Sequence, residues 1–140
     1  MYQSEERDEE RILVSPATAA GVKFLIMLNL RKLPCAALVN NDRERESMLQ
    51  LGIDHIVQVN TSDKQNLVLP EFPVGKVFLF ESSLALCCRY LQLCRSWTGR
   101  SIYVITQAQH SRLIFRGVGA DYVIHTNGGD VSYLILDEAN

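Results

Sequence analysis

Several features that would place a protein in a special class are scarce or missing in this chain. The apolar run at 24–28 is far shorter than the roughly 20 residues that span a bilayer. Residues 1–10 are polar and acidic, unlike the start of a signal peptide. A net charge of −2 provides no basic surface of the kind that binds DNA or RNA. We therefore expect a cytoplasmic protein with no inserted segment and no nucleic-acid partner.

Motifs for metal binding and catalysis are also missing. The four cysteines, Cys35, Cys87, Cys88 and Cys94, form no C-x-x-C, whereas a zinc site needs four converging ligands. There is no G-x-S-x-G, H-E-x-x-H or Walker sequence. The histidines, His55, His110 and His125, are scattered, although His125 ends a predicted strand and could approach a site there. We expect buried thiols, no metal and no enzyme activity.

What is present is a regular alternation of short apolar segments with helical ones, in a composition (47% hydrophobic, 21% charged) ordinary for a globular domain. We predict strands at 12–14, 35–39, 55–59, 76–80, 101–106 and 121–125, and helices at about 18–31, 43–51, 83–97 and 107–117. Residues 60–63 are suited to capping a further short helix. This pattern predicts one α/β domain, residues 11–140, with a parallel sheet and a charged arm at 1–10.

The last segment, VSYLIL at 131–136, follows a glycine-containing turn and allows two structures. It could return as an extra strand, or form a short helix capped by Asp130. The turn chemistry slightly favours the strand.

The stretch from Arg11 to Lys32 is typical of the opening of a dinucleotide-binding βαβ unit, which implies the strand order 3-2-1-4-5-6. Gly21 stands where the last glycine of G-x-G-x-x-G falls, but Pro16 and Thr18 replace the first two. Proline removes one N–H, and Thr18 adds a branched side chain where only hydrogen usually fits. Thr18 could donate to a phosphate or cap the helix. We expect Gly21 to serve close packing of helix on strand.

Three further segments carry a resemblance to a known family. The second strand ends in V-N-N-D-R-E-R, the third ends in V-N-T-S-D, and H-S-R-L-I-F-R-G-V-G-A-D-Y-V-I comes later. Over residues 11–125 the chain resembles the N-terminal nucleotide-binding domain of the regulator-of-potassium-conductance family (RCK, or TrkA-N). That family tends to read V-I-D-x-D-P-E-R, G-D-A-T-D and L-x-R-L-G-A-D-x-V-I. The resemblance implies a Rossmann-like sheet, NAD(H), ATP or ADP at its mouth, dimers, and control of potassium channels or transporters.

The resemblance assigns the nucleotide contacts to Pro16, Thr18, Gly21, Asn40, Asp42, Arg43 and Asn60. Asn40 stands in place of the ribose-binding acid, and Asn60 in place of the aspartate of G-D-A-T-D. Arg43 after a neutral residue suits a 2′-phosphate and so NADP; alternatively, Arg43 and Arg45 are solvent-facing partners of Glu44 and Glu46. These departures favour a degraded site.

From these features we expect a non-enzymatic regulatory domain that senses a nucleotide weakly or not at all and acts through oligomer or partner contacts. The cofactor stays open between NAD(H), NADP(H), an adenine nucleotide and none. The apolar helices at about 18–31 and 83–97 favour a homodimer, and the family resemblance adds a membrane transporter or channel as partner. The alternative is a small NAD(P)-dependent oxidoreductase-like protein.

Overall fold

The computed structural model describes residues 9–60, 68–108, 111–127 and 131–135. In chain order the elements are β1 (Arg11–Ser15), α1 (Ala19–Leu30), β2 (Cys35–Val39), α2 (Asp42–Gln50), β3 (Ile56–Gln58), β4 (Val74–Phe80), α3 (Leu84–Trp97), β5 (Ile102–Thr106), α4 (Arg112–Val118), β6 (Tyr122–His125) and a 3₁₀ helix (Ser132–Leu134). Most of the charged arm, the short helix predicted after Asn60, and His110 lie outside the described residues.

The six strands form one parallel sheet in the order β3-β2-β1-β4-β5-β6, which confirms the predicted α/β Rossmann-like topology. Leu13 in β1 pairs with Ala36 in β2 and with Val77 in β4. The direction of winding therefore reverses between β1 and β4. In folds of this type, ligands bind beside that reversal, at the carboxyl ends of the strands. We call this end of the sheet the mouth.

Successive residues of each strand contribute side chains to two apolar layers, one on each face of the sheet. Leu13 belongs to the layer covered by α3 and α4, while its neighbours Ile12 and Val14 belong to the layer covered by α1 and α2. Side chains buried on both faces explain why the strands read as continuous apolar runs.

A row of aromatic rings crosses the sheet on the α1 side. Phe24 of α1 lies 4.8 Å from Phe78 of β4, measured between ring centroids. Phe78 stacks on Tyr103 at 4.6 Å, and Tyr103 stacks on Tyr122 of the edge strand β6 at 5.0 Å. Aromatic pairs at these distances add stability beyond the area that they bury. The row thus ties α1 to the edge of the sheet.

The predicted extra strand at the end of the chain is wrong, because the described residues 131–135 form a 3₁₀ helix and its flanks. Val131 and Ile135 are buried in the α1-side layer. In a strand Tyr133 would lie on the same face as this pair, but Tyr133 is 56% exposed, so the burial pattern is that of a helical turn. Burial of this pair therefore outweighs the turn chemistry.

The fifth predicted helix also begins later than expected, at Arg112 instead of Gln107. The Thr106 hydroxyl accepts a hydrogen bond from the Ala108 N–H at 2.9 Å. The Gln107 carbonyl accepts one from the His125 ring, also at 2.9 Å. These two contacts hold the residues after β5 in a loop.

Candidate functional site

The first turn of α1 is capped by its own chain. Thr18 has an extended backbone (φ −129°, ψ 166°), and its hydroxyl accepts a hydrogen bond from the Gly21 N–H at 3.1 Å. This is the geometry of an N-cap residue, so the capping interpretation of Thr18 is confirmed. In a glycine-rich phosphate loop, the N–H groups at this helix start would face the phosphate. Here the Gly21 N–H already has an acceptor.

Gly21 packs against the end of β4, as predicted. A Cβ at position 21 would lie 2.9 Å from Cγ of Phe80 and 3.0 Å from the backbone oxygen of Ser15. Neither atom can move easily, since both residues are buried in the sheet. Gly21 is therefore needed for the approach of α1 to the sheet, whether or not a ligand binds.

The reversal point between β1 and β4 is closed by a contact that the sequence did not reveal. The Ser15 hydroxyl, 1% exposed, accepts a hydrogen bond from the Phe80 N–H at 2.9 Å. Pro16 follows and is buried as well. A void beside the two strand ends, bordered by Ser15, Phe80 and Tyr90 of α3, is too small for a water molecule. A larger hollow of about 510 Å³ lies elsewhere, along the outer edge of β3.

The polar groups at the end of β2 are engaged with one another. The Glu44 carboxylate accepts a hydrogen bond from the Asn40 N–H at 3.0 Å, and the Asn41 side-chain oxygen accepts one from the Glu44 N–H at 2.8 Å. The Asn41 amide also donates to the Asn40 side-chain oxygen at 3.0 Å. Asn41 and Glu44 form a variant of the capping box. The pattern N-x-x-E before a helix is a signal for it.

The remaining predicted contacts lie at the same end of the sheet. The Asp42 carboxylate accepts a hydrogen bond from the Gln58 side chain at 2.8 Å, which links the ends of α2 and β3. Asn60 is exposed and follows Val59, whose N–H pairs with the β2 backbone. The positions that the family resemblance assigned to the site thus follow three neighbouring strands, β1, β2 and β3, at one end of the sheet.

Arg43 and Arg45 are both exposed, as one of the two interpretations required. In the described part of the chain, however, neither forms an ion pair with Glu44 or Glu46. The predicted pairing is therefore wrong: the Glu44 carboxylate accepts the Asn40 N–H, and Glu46 has no ion pair among the described residues.

A further carboxylate at the mouth comes from Glu81, directly after β4. The Thr106 hydroxyl donates a hydrogen bond to this carboxylate, and Thr106 itself is buried. No local motif marks this pair, since its members lie 25 residues apart. Glu81 adds a third acidic side chain to the mouth, after Asp42 and Glu44.

His125 reaches the mouth from the end of β6, as predicted, but its ring is tied to the Gln107 carbonyl. It borders an open hollow of about 340 Å³ together with Thr106 and Arg112. A general base must reach the proton it removes. The hydrogen bond to Gln107 instead gives this ring a structural partner.

The segment G-A-D-Y-V-I, which carries much of the family resemblance, forms a structural clamp away from the mouth. The Arg95 guanidinium donates to the backbone oxygens of Thr98, Arg100 and Gly119 and to the Asp121 carboxylate, at 2.8–3.0 Å. The Asp121 carboxylate also accepts the Ile102 N–H at 2.8 Å. This motif therefore fixes the start of β5 and β6 relative to α3.

The cysteines are free thiols, and three of them are buried. Burial raises the pKa of the Cys87 and Cys94 thiols, so they stay protonated and unreactive. Within the described ranges, no three histidine, cysteine or acidic side chains cluster as metal ligands. No helix among the same residues has both the length and the apolar character required to cross a membrane.

No protein-family model and no curated protein matches the sequence, but solved structures match the fold. One is the NAD(P)-binding domain of an exopolyphosphatase-related protein from Archaeoglobus fulgidus, with a TM-score of 0.67 and 19% identity over 94% of this chain and 98% of that one. Another is the TrkA-N domain of the inner membrane protein ybaL from Escherichia coli, with a TM-score of 0.63 and 11% identity over 94% and 96%. The chain therefore has the fold of TrkA-N and NAD(P)-binding Rossmann domains.

Proposed function

We propose that this chain is a non-enzymatic regulatory Rossmann-like domain that works through protein contacts and binds a dinucleotide weakly or not at all. The observation that carries the proposal is the 3.1 Å hydrogen bond between the Gly21 N–H and the Thr18 hydroxyl. A phosphate at this position would have to displace an acceptor that is already in place. The free energy needed to break the hydrogen bond between Gly21 and Thr18 would weaken phosphate binding by the same amount.

The charges at the mouth support the same conclusion. The carboxylates of Asp42 and Glu44 follow β2 and that of Glu81 follows β4, all at the same end of the sheet. A pyrophosphate carries negative charge and would approach all three. Arg43 is the exposed cation in the first turn of α2, but it stands between two of these acids in the sequence.

Protein partners take the place of the ligand in this proposal. The domain acts in the cytoplasm as a homodimer, and its partner class is a membrane transporter or channel, with potassium transport as the process it regulates. The support for this partner is the sequence resemblance to RCK domains, together with the shared fold of a TrkA-N domain from an inner membrane protein.

A small NAD(P)-dependent oxidoreductase is the second candidate. It is favoured by the exposed Arg43 three residues after the neutral Asn40, an arrangement suited to a 2′-phosphate, and by the likeness to a domain described as NAD(P)-binding. It requires the mouth to hold NADPH tightly enough for turnover.

Thermal shift and calorimetry with NAD, NADH, NADPH, AMP, ADP and ATP decide between the candidates. A ligand present at 100 times its dissociation constant adds about 2.7 kcal/mol to the free energy of unfolding. We expect no change in melting temperature at millimolar nucleotide. A saturable shift in melting temperature with NADPH would favour the oxidoreductase. A shift with any of the other nucleotides would indicate a nucleotide sensor.

A paired variant tests whether the loop itself blocks binding. Replacing Pro16 and Thr18 by glycine restores one N–H and frees the Gly21 N–H, so we expect measurable binding of NAD or ADP to appear. Thr18→Ser is the control, because serine keeps the acceptor and should leave binding absent. If the glycine variant gains nothing, the engaged Asn40 and the carboxylates at the mouth are what exclude the ligand.

A further inference from the structure

The outer face of α1 carries an apolar ridge. The helix buries Gly21, Phe24, Leu25 and Leu28 against the sheet. Its opposite side presents Ala19, Lys23, Ile26 and Leu30, which we call the α1 ridge. Their spacing of four, three and four residues is that of side chains that interlock between packed helices. Leu30 is 73% exposed, and Lys23 is the one charged residue within α1.

The neighbouring helix α2 presents a ridge of complementary character. Met48 faces the core, which leaves Asp42, Glu46 and Leu49 on the exposed side at spacings of four and three. We call these residues the α2 ridge. Leu49 is 44% exposed. Both ridges therefore have a charged residue followed, three positions later, by an apolar one, but the charges are of opposite sign.

The pairing of β1 with β2 indicates that the two ridges lie at matching heights over the sheet. Val14 of β1 pairs with Ala37 of β2, a difference of 23 positions, and the helices start at Ala19 and Asp42, the same difference. Both helices run back along parallel neighbouring strands. Lys23 is therefore level with Glu46, and Ile26 is level with Leu49.

We infer that a second copy of this chain docks on this face, with the α1 ridge of each copy packed on the α2 ridge of the other. A two-fold axis that runs parallel to the helices, between α1 and α2, places α1 of each copy over α2 of the other copy. Rotation about this axis does not shift residues along it, so residues at equal heights stay level. It brings Lys23 against Glu46 of the other copy and Ile26 against Leu49 of the other copy, each twice in the dimer. An isologous contact of this kind needs a self-complementary surface.

The charges explain why this arrangement is favoured over packing of α1 on α1. A pair of α1 helices would bring several cations together, since Arg31 and Lys32 follow the ridge directly and are exposed. In the exchanged arrangement, each Lys23 meets a carboxylate. Within the described part of the chain, neither Lys23 nor Glu46 has an ion pair or side-chain hydrogen bond that would compete.

Sedimentation of the full chain at micromolar concentration, combined with a charge exchange, tests this interface. The wild type should be a dimer. Lys23→Glu alone and Glu46→Lys alone should each raise the dimer dissociation constant about tenfold, because each creates two like-charge contacts. The double variant Lys23→Glu with Glu46→Lys should return to within about threefold of the wild type. Circular dichroism checks that each variant is folded.

Arg112→Glu is the matched control, since it reverses one exposed charge on the opposite layer and should leave the dimer unchanged. A wild-type monomer at about 100 µM, well above the range expected for a specific dimer, would overturn the inference. So would single variants that dimerise normally, or a double variant without rescue. The inference rests on the proposed function, in which protein contacts do the work, but these outcomes are independent of the nucleotide titration.

Discussion

Gly21 and Phe80 lie so close that no side chain fits between them: a Cβ at position 21 would stand 2.9 Å from Cγ and 3.1 Å from Cβ of the phenylalanine. The contact joins the start of α1 to the end of β4. It therefore spans the point where the winding of the sheet reverses. The one glycine retained from the dinucleotide fingerprint is kept for the approach of helix and strand.

We expect Gly21→Ala to lower the free energy of unfolding by about 1–3 kcal/mol, the usual range for overpacking a core. Alanine favours helix by up to about 1 kcal/mol over glycine, which works in the opposite direction. The clash should win because the atoms in contact belong to a buried ring and to backbone. Urea denaturation measures the difference.

Gly99→Ala is the control for this change. A Cβ at Gly99 would meet no atom within 4 Å, so the variant should stay within about 0.5 kcal/mol of the wild type. Equal stability of both variants would contradict the close approach of α1 to β4.

Thr18→Ala should cost about 1 kcal/mol, since it removes the acceptor for the Gly21 N–H. Thr18→Ser should keep nearly all of the stability, because serine caps helices as well as threonine does. Chemical denaturation of the three proteins at one pH gives the comparison. A serine variant as unstable as the alanine variant would mean that the methyl group, and not the cap, stabilises this turn.

Asp121 should make stability depend on pH in the acid range. Partial burial opposes its ionisation, but the Ile102 N–H and the Arg95 guanidinium favour the carboxylate more, and the pKa lies below its ordinary value of 3.8. A group with a lowered native pKa stabilises the fold above its unfolded pKa, and this stabilisation is lost as the pH falls through the native value. Asp121→Asn should therefore be less stable than the wild type at neutral pH, by no more than about 1 kcal/mol, because the Asp121 side chain is 43% exposed and solvent screens its ion pair.

The difference between these two proteins should shrink as the pH falls from about 5 to about 2. Urea denaturation at a series of pH values measures it. Asp54→Asn is a suitable control, because Asp54 is exposed and outside the clamp. A constant difference down to pH 2 would show that the clamp acts through shape and not through the charge of Asp121.

Ile135→Ala should lower the free energy of unfolding by about 2–4 kcal/mol, because Ile135 is fully buried in the α1-side layer. Tyr133→Ala, in the 3₁₀ helix that Ile135 follows but 56% exposed, should have little effect. Thermal and urea unfolding test both. If Ile135→Ala is as stable as the wild type, the last turn does not contribute to the core.

Local sequence signals predicted the local features of the site, but they did not predict contacts between residues far apart in the sequence. The cap at Thr18 and the packing role of Gly21 follow from the chemistry of one turn, and both are confirmed. The hydrogen bond from the Phe80 N–H to the Ser15 hydroxyl joins residues 65 positions apart, and no pattern in either segment predicts it. Six apolar segments with a dinucleotide-type turn after the first were enough to predict the sheet order, since few topologies satisfy the rules of handedness and parallel pairing.

The end of the chain shows why turn signals alone can mislead. The glycines before Val131 favoured a hairpin, yet Tyr133 is exposed between the buried Val131 and Ile135, as in a helical turn and not in a strand. Which face a segment buries depends on what the rest of the sheet leaves uncovered. That information lies in the assembled layers and not in the segment.

The Thr18 cap has a consequence for how the domain responds to its surroundings. In some domains a bound phosphate accepts the N–H groups at the start of a helix. The stability of such a domain rises and falls with the concentration of the ligand that carries the phosphate. Here the acceptor for the Gly21 N–H is encoded in the chain itself. The first turn of α1 is therefore capped without any bound phosphate, and this part of the helix draws its stability from the chain alone.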